Sequence, residues 1–431
     1  MTYQETLDYL FVQVPMFQNL GAGAYKPGLE TTLKLASHWG DPHKSLKCIH
    51  VGGTNGKGST ASTIAAILQS AGYKTGLYTS PHLVDFRERI RVDGEPVSKE
   101  FVVDFVSEYL ATPSLTALHP TFFELTTVMA LAWFVKEKVD VAVIEVGLGG
   151  RLDCTNIITP LLSVITNISL DHMALLGDTE AKIAAEKAGI IKAGIPVVIG
   201  SAEGDVLDVF EKKASSVGAP LVVASKQREY TEARVHDDGI DYIGTAWGDL
   251  RGELCGDCQR ENAATVLSAL RFIEPHFSKI DKEAVTQGFG QVCKLTGLAG
   301  RWMELSHSPV RVLCDTGHNI GGWRWLGPSL SKISETGTLH MVLGFVNDKD
   351  VNAIMDQMPC NALYYFATPS VARGRAAMST AETAAQHGLK GTVYDTVAEA
   401  YNAAMEAAGE GDTVFVGGST FVVADLMTLL R

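Results

Sequence analysis

Long apolar runs are missing from this 431-residue chain. Two charge-free stretches approach the ~20 residues a membrane span needs, Tyr9–Tyr25 and Cys154–Leu170. Gln13, Pro15, Gln18 and Asn19 interrupt the first; Asn156, Pro160, Asn167 and several Thr and Ser interrupt the second. Neither reads as a span, so no membrane partner is expected. Met1–Val12 carries Glu5 and Asp8 and no basic run, unlike a secretory leader. Basic excess is missing too: 36 Lys and Arg face 49 Asp and Glu, a formal net charge of −13. That excludes a general nucleic-acid binder, which needs a basic face, and any anionic ligand must find its counter-charge locally. Cysteine is scarce and odd in number, seven in all, as in a reducing compartment, here the cytoplasm. Cys255 and Cys258 form a C-x-x-C with no second pair at zinc spacing and read as two reduced thiols. Disorder is excluded by 46% hydrophobic and 20% charged residues.

What is present is alternation. Short apolar runs at Cys48–Val51, Thr75–Tyr78, Val139–Val146, Leu161–Ile165 and Pro196–Ile199 read as strands. Helical spacing appears at Ser59–Ser70, Glu124–Lys138 and Glu180–Ile191. Strands alternating with helices predict an α/β fold with a mainly parallel sheet. Residues 225–258 are polar and Gly-containing and suggest hairpins, before a helix at Gln259–Ile273. Residues 294–300 read as a linker. Alternation then restarts at Val310–Asp315, His340–Phe345, Ala362–Ala367, Thr392–Asp395 and Thr413–Gly417. The expected division is a larger α/β domain over 1–296 and a smaller Rossmann-like α/β domain over 297–431, with a ligand cleft between them.

One junction carries chemistry. His50-Val51-Gly52-Gly53-Thr54-Asn55-Gly56-Lys57-Gly58-Ser59-Thr60 joins a strand to a helix. Its glycines let the backbone turn tightly and aim N–H groups inward. The helix N-terminus adds partial positive charge, worth ~1 kcal/mol toward an anion. Lys57 can reach outer phosphates, and the Ser59 hydroxyl can bind Mg²⁺. The strict G-x-x-x-x-G-K-[ST] spacing fails, because Gly58 stands between Lys57 and the hydroxyl. The loop alone predicts a nucleoside triphosphate and no particular reaction. Glu145 ends an apolar strand, and a buried carboxylate needs a cation or donors; a nearby phosphate-bound Mg²⁺ would supply one.

Gly53-Thr54-Asn55-Gly56-Lys57-Gly58-Ser59 resembles the phosphate loop of folylpolyglutamate synthase/dihydrofolate synthase, a branch of the Mur ligase superfamily with the extra Gly after the Lys. The resemblance continues in family order: Ser80-Pro81-His82-Leu83, Glu88-Arg89-Ile90-Arg91, Glu145–Asp153, Leu170-Asp171-His172, Glu186–Ile190, Asn262-Ala263-Ala264, Gly300-Arg301-Trp302 and Asp315–Asn319. It implies a P-loop Mur-ligase-like domain followed by a glutamate ligase domain. It also implies an ATP-dependent ligase that joins L-glutamate to dihydropteroate, to reduced folates, or to both, through an acyl phosphate. A cell-wall Mur-type amino-acid ligase is the alternative; the Ser80–Leu83 block and Gly58 argue against it.

The resemblance also assigns residues. Thr54, Asn55, Gly56, Lys57, Gly58 and Ser59 would hold ATP, with Asn262 at the adenine, Arg301 at the phosphates, Asp315 at the ribose and His318 nearby. Two Mg²⁺ ions would use Ser59, Ser80, Glu145, His172 and Lys187, with Lys187 N6-carbamylated into an anion. From its position alone, Lys187 would be a solvated helix lysine. Lys57, Glu145, His172 and Lys187 make the expected catalytic set. Acceptor candidates are Tyr25, Lys26 and Pro27; Thr121, Phe122, Phe123 and Glu124; and Leu152, Asp153 and Cys154, where the family commonly has Ala at the last position. Ile320 stands where the family commonly has Pro. A monomer is expected.

Overall fold

The computed structural model describes residues 1–15 and 28–431. The acceptor candidates Tyr25, Lys26 and Pro27 therefore lie outside the described residues. The chain divides into two contact-dense units, Met1–Leu254 with Gln259–Leu298, and Cys255–Cys258 with Ala299–Arg431.

The first unit is built on eight strands: β1 Cys48–Gly52, β2 Thr75–Tyr78, β3 Ile90–Val92, β4 Glu95–Pro96, β5 Val141–Glu145, β6 Leu162–Ile165, β7 Val197–Ile199 and β8 Leu221–Val223. Their order is β4-β3-β2-β5-β1-β6-β7-β8. From β2 to β8 every pairing is parallel; β3 and β4 add an antiparallel edge. The central strands are apolar because both faces are covered. Ile49, Val51, Val141 and Val143 face one core, with helices Lys57–Ser70 and Gln259–Ile273. Cys48, Ala142 and Ile144 face the other, with Phe122–Lys136. Successive residues point to opposite faces, so Glu145 falls on the side of the Lys57–Ser70 helix. The expected hairpins are β9 Glu232–His236, β10 Gly239–Thr245 and β11 Gly248–Gly252, an antiparallel sheet.

Three boundaries correct the sequence reading. The helix after β1 begins at Lys57, two residues early, with Gly56 capping it at φ 80°. The helix at Glu180 ends at Lys187, and a 3₁₀ turn covers Ala188–Ile190. The expected linker over 294–300 is partly helical: Val292–Thr296 forms a short helix, stopped by Gly297 at φ 70°.

The second unit has six strands: β12 Met303–Ser306, β13 Arg311–Asp315, β14 Leu339–Leu343, β15 Leu363–Ala367, β16 Gly391–Tyr394 and β17 Thr413–Gly417. Their order is β12-β13-β17-β14-β15-β16, parallel except for β12. Trp323, Phe345, Phe366 and Phe415 fill its core. All seven cysteines are free thiols. No helix of the described residues is long and apolar enough to cross a membrane.

Candidate active site

Register decides what meets. β1 lies between β5 and β6, with Val51 opposite Glu145 and Gly52 opposite Ile165; Tyr78 of β2 pairs with Ile144. The carboxyl ends of β2, β5, β1 and β6 thus stand side by side. They carry in turn Ser80, Glu145, the glycine-rich loop, and the segment leading to Asp171 and His172. Ligands of open parallel sheets gather at this edge.

The loop is pinned from the β6 side. Thr54 N–H donates to Asn167 O at 2.8 Å, and Thr54 Oγ1 to Ser169 O at 3.3 Å. Asn55 N–H donates to Asn167 Oδ1 at 3.0 Å, and its side-chain amide to Ser169 Oγ at 3.2 Å. The backbone donors of Thr54 and Asn55 are therefore committed internally. A phosphate at this loop would meet its N–H donors at the first turn of the helix, around Gly58 and Ser59. Ser59 is buried, its hydroxyl 3.4 Å from Gln259 Nε2, and Gln259 in turn accepts from Asn262 Nδ2 at 2.8 Å. Asn262 lies against Gly56, where a Cβ would meet Asn262 Oδ1 at 2.1 Å; only glycine fits there.

Two amines converge on this loop. Lys57 Nζ donates to Thr54 O at 2.9 Å, and Lys187 Nζ donates to the preceding carbonyl, Gly53 O, at 2.8 Å. Lys187 is 5% exposed. Burial, reinforced by the Lys57 charge and opposed by Asp171 and Asp153, pulls its amine down to about 7. The sequence reading of a solvated helix lysine is overturned. Its neighbour Glu186 pairs with Arg151 at 2.9 Å. Gly150 lets the Gly149-Gly150-Arg151 turn press on the Lys187 backbone, since a Cβ there would stand 2.9 Å from the Lys187 carbonyl oxygen.

Glu145 is 4% exposed and accepts the Ser80 N–H at 2.9 Å. His172, at φ 50°, follows Asp171, whose carboxylate takes the His172 N–H at 2.8 Å and lies 3.9 Å from its Nε2. Among the described residues no three His, Cys, Asp or Glu side chains form a ready metal cage. Mg²⁺ does not require one: it keeps waters and takes phosphate oxygens alongside one or two carboxylates. Glu145 and the hydroxyls of Ser59 and Ser80 are oxygen donors of that kind. Lys187 fits only after it loses its positive charge.

The acceptor candidates have other tasks as well. Thr121 and Glu124 form a reciprocal cap on the helix Phe122–Lys136. Phe122 is core, against Phe11 and Phe86, while Phe123 covers Gly147 and lies 5.8 Å from Tyr78. Asp153 is buried, which raises its carboxyl, against donors from Thr155 and Leu148. Leu152 and Cys154 flank it, half-buried.

In the second unit, Arg301 Nη1 donates to Gly300 O at 3.0 Å and to Thr316 Oγ1. Asp315 accepts N–H bonds from Trp302 and Gly317, both at 2.7 Å; burial raises its carboxyl despite Arg301. His318 Nδ1 lies 3.0 Å from Thr316 O. Sequence reasoning gave no role to Asp171, Asn167 or Ser169. Their signal was the alternation of polar Asn167, Ser169 and Asp171 with Ile168 and Leu170 just past a strand.

Comparison with known proteins shows the family. The Mur ligase middle domain matches residues 51–270, and the Mur ligase glutamate ligase domain matches 300–420. A probable bifunctional folylpolyglutamate synthase/dihydropteroate synthase of Haloferax volcanii is 35% identical over 99% of this chain, which spans about half (50%) of that longer protein. The dihydrofolate synthase/folylpolyglutamate synthase of Escherichia coli is 34% identical over 96% of this chain and 93% of its own length. The structure of the bifunctional enzyme of Yersinia pestis, complexed with AMPPNP and a Mn ion, superposes with a TM-score of 0.80 at 30% identity, covering 100% of this chain and 98% of that one. The chain belongs to the folylpolyglutamate synthase/dihydrofolate synthase family of ATP-dependent Mur-type ligases.

Proposed function

We propose that this chain forms an amide between the carboxylate of dihydropteroate, of a reduced folate (poly)glutamate, or of both, and the amino group of L-glutamate, with ATP consumed to ADP and phosphate. A carboxylate resists attack by an amine. Transfer of the γ-phosphoryl group to it gives an acyl phosphate; the glutamate amine then adds, phosphate leaves and the amide remains. The observation that carries this reading is the meeting of Lys57 and Lys187 on adjacent loop carbonyls, one strand from Glu145.

Lys57 neutralises charge on the transferred group, and the first turn of its helix binds the phosphate tail. Glu145, with Ser59, Ser80 and His172, would hold two Mg²⁺ ions. Bound there, Mg²⁺ supplies positive charge between two anions that otherwise repel. Lys187 reacts as the neutral amine: its nitrogen bonds to CO₂, one proton leaves, and a carbamate anion replaces a cation. An amine near 7 is substantially neutral at physiological pH, unlike an ordinary lysine. Asn262, Arg301, Asp315 and His318 are assigned to the nucleotide, and Phe123, Leu152, Asp153 and Cys154 to the acceptor. Seven free thiols support a reducing cytoplasm.

The test is ADP release with L-glutamate and each acceptor in turn, beside a panel of UDP-linked acceptors. Turnover with dihydropteroate or a reduced folate is expected. Turnover with the UDP-linked compounds alone, or ATP hydrolysis indifferent to acceptor and glutamate, would overturn the proposal.

A further inference from the structure

A two-residue clamp holds the turn after Ser80. The Glu88 carboxylate accepts the backbone N–H groups of Leu83, Val84 and Asp85 at 2.8, 3.2 and 2.8 Å. The Arg89 carbonyl accepts the Thr79 N–H at 3.0 Å. The Arg89 side chain is buried beneath this turn at 3% residue exposure, its guanidinium 5.1 Å from the centre of the Phe122 ring. Its Nε donates to His82 Nδ1 at 2.7 Å.

That last bond has a chemical consequence. A guanidinium has donors and no acceptor, so His82 Nδ1 must present its lone pair. A neutral imidazole with a bare Nδ1 carries its proton on Nε2. Phe11, stacked at 5.9 Å, and Phe86, edge-on at 6.4 Å, fix the plane of the ring. Nε2 has no hydrogen-bond partner among the described residues, and His82 is half-buried. The result is one oriented N–H donor two residues past Ser80, whose own N–H binds Glu145. A histidine held only for packing would need neither the buried cation nor the defined tautomer.

We infer that His82 Nε2–H binds an sp² oxygen of the acceptor, on or beside the carboxylate that is activated, and that Arg89 is the positioning residue that fixes the tautomer. The inference rests on the ligase reading above. It adds a recognition element for the acceptor's carbonyl or carboxylate oxygen, separate from the residues already assigned to the acceptor.

Steady-state kinetics and acceptor-binding titrations on the full chain test it. His82→Phe keeps a flat ring between Phe11 and Phe86 and removes the donor. The acceptor KM and Kd are expected to rise about tenfold, the worth of one neutral hydrogen bond, with KM for ATP unchanged. His82→Gln, whose amide N–H reaches a similar place, recovers part of the loss. Arg89→Lys, which cannot reproduce the Nε bond, gives the same acceptor-selective rise. An unchanged acceptor KM in folded His82→Phe, or equal losses toward ATP and acceptor, overturns the inference. A second measurement does not depend on activity: ¹⁵N spectra of histidine-labelled protein, with His82 assigned through His82→Gln. A protonated Nε2 and bare Nδ1 are expected, and the opposite tautomer overturns the inference. Wild-type chain inactive with every acceptor would instead remove the ligase reading, an outcome distinct from either result.

Discussion

Both units place polar residues at the carboxyl edge of a parallel sheet, but they do so differently. In the first, Ser80, Glu145, Lys57 and His172 arrive from four adjacent strands, and Lys187 arrives from a helix beyond them. Its amines lie on loop carbonyls, in the company of carboxylates. In the second, Arg301, Asp315 and His318 belong to two short facing segments, and each is tied to backbone within them. The first edge gathers charge from across the fold, which suits a step in which charge moves. The second is a rigid polar turn, which suits binding. The contrast is sharp enough to break by mutation.

The largest effect is expected at Lys57. If Lys57 acts as proposed, Lys57→Ala removes a cation from beside the transferred group and lowers kcat about 10²–10³-fold, the typical loss of one transition-state donor. ADP release at saturating substrates measures it. A change confined to KM would place Lys57 with the binding residues instead.

Lys187 comes next. With its amine near 7 against an ordinary value of 10.5, the unfolded chain binds more protons than the folded chain between those two values. This group's contribution to stability therefore rises with pH from about 7 to 10.5 in protein free of metal and CO₂. The same neutral amine takes up CO₂, so ¹³C-bicarbonate should label Lys187 above pH 7 and lose the label as pH falls below it. Lys187→Met is expected to lose activity, by less than Lys57→Ala does, and to be bicarbonate-insensitive in what remains. It should nonetheless melt no lower than wild type at neutral pH, because a buried, desolvated amine has been exchanged for an apolar chain. Loss of stability together with activity would mean that the lysine is structural.

The second edge should respond more weakly and in a different parameter. Asp315→Asn keeps the shape and weakens the carboxylate's hold on the Trp302 and Gly317 amides. KM for ATP should rise about tenfold while kcat at saturation stays near wild type. An equal fall in kcat would erase the distinction between the two edges.

The smallest effect is expected at Glu124. It is buried in a helix cap, and Glu124→Ala should lower stability by about 1 kcal/mol through the lost cap, read as the denaturant midpoint. A much larger loss in acceptor affinity than in stability would place it at the acceptor site as well as in the cap.

Much of this was legible in the sequence, for local reasons. The run Val139–Val146 lies on both buried faces of a parallel sheet, so its apolar continuity gave away β5 and put Glu145 at its end. The glycines around Lys57 marked the strand-to-helix turn without any knowledge of the sheet. The helix at Val292–Thr296 was missed although its stop signal, Gly297, was present; the segment is too short for periodicity to show. The strands β3, β4 and β12 are likewise short and lie outside the parallel pattern. What no local rule could supply was the pairing of Asn55 with Asn167, 112 residues away, or of Lys187 with the loop, 134 residues from Gly53. The first is one of two bonds by which Thr54 and Asn55 commit their backbone amides to Asn167, on the segment after β6. The second turns a helix lysine into a buried amine. The family resemblance pointed to Lys187, but its burial comes from tertiary packing against Gly150 and the loop.

The most direct test of the central claim is a crystal structure with AMPPNP and Mn²⁺, using the anomalous signal of the metal to locate it. The account predicts manganese bridging the terminal phosphates to Glu145, with His172 and a carbamylated Lys187 turned toward the same phosphate tail. Metal on the phosphates with Glu145, His172 and Lys187 all facing away from it would contradict the account.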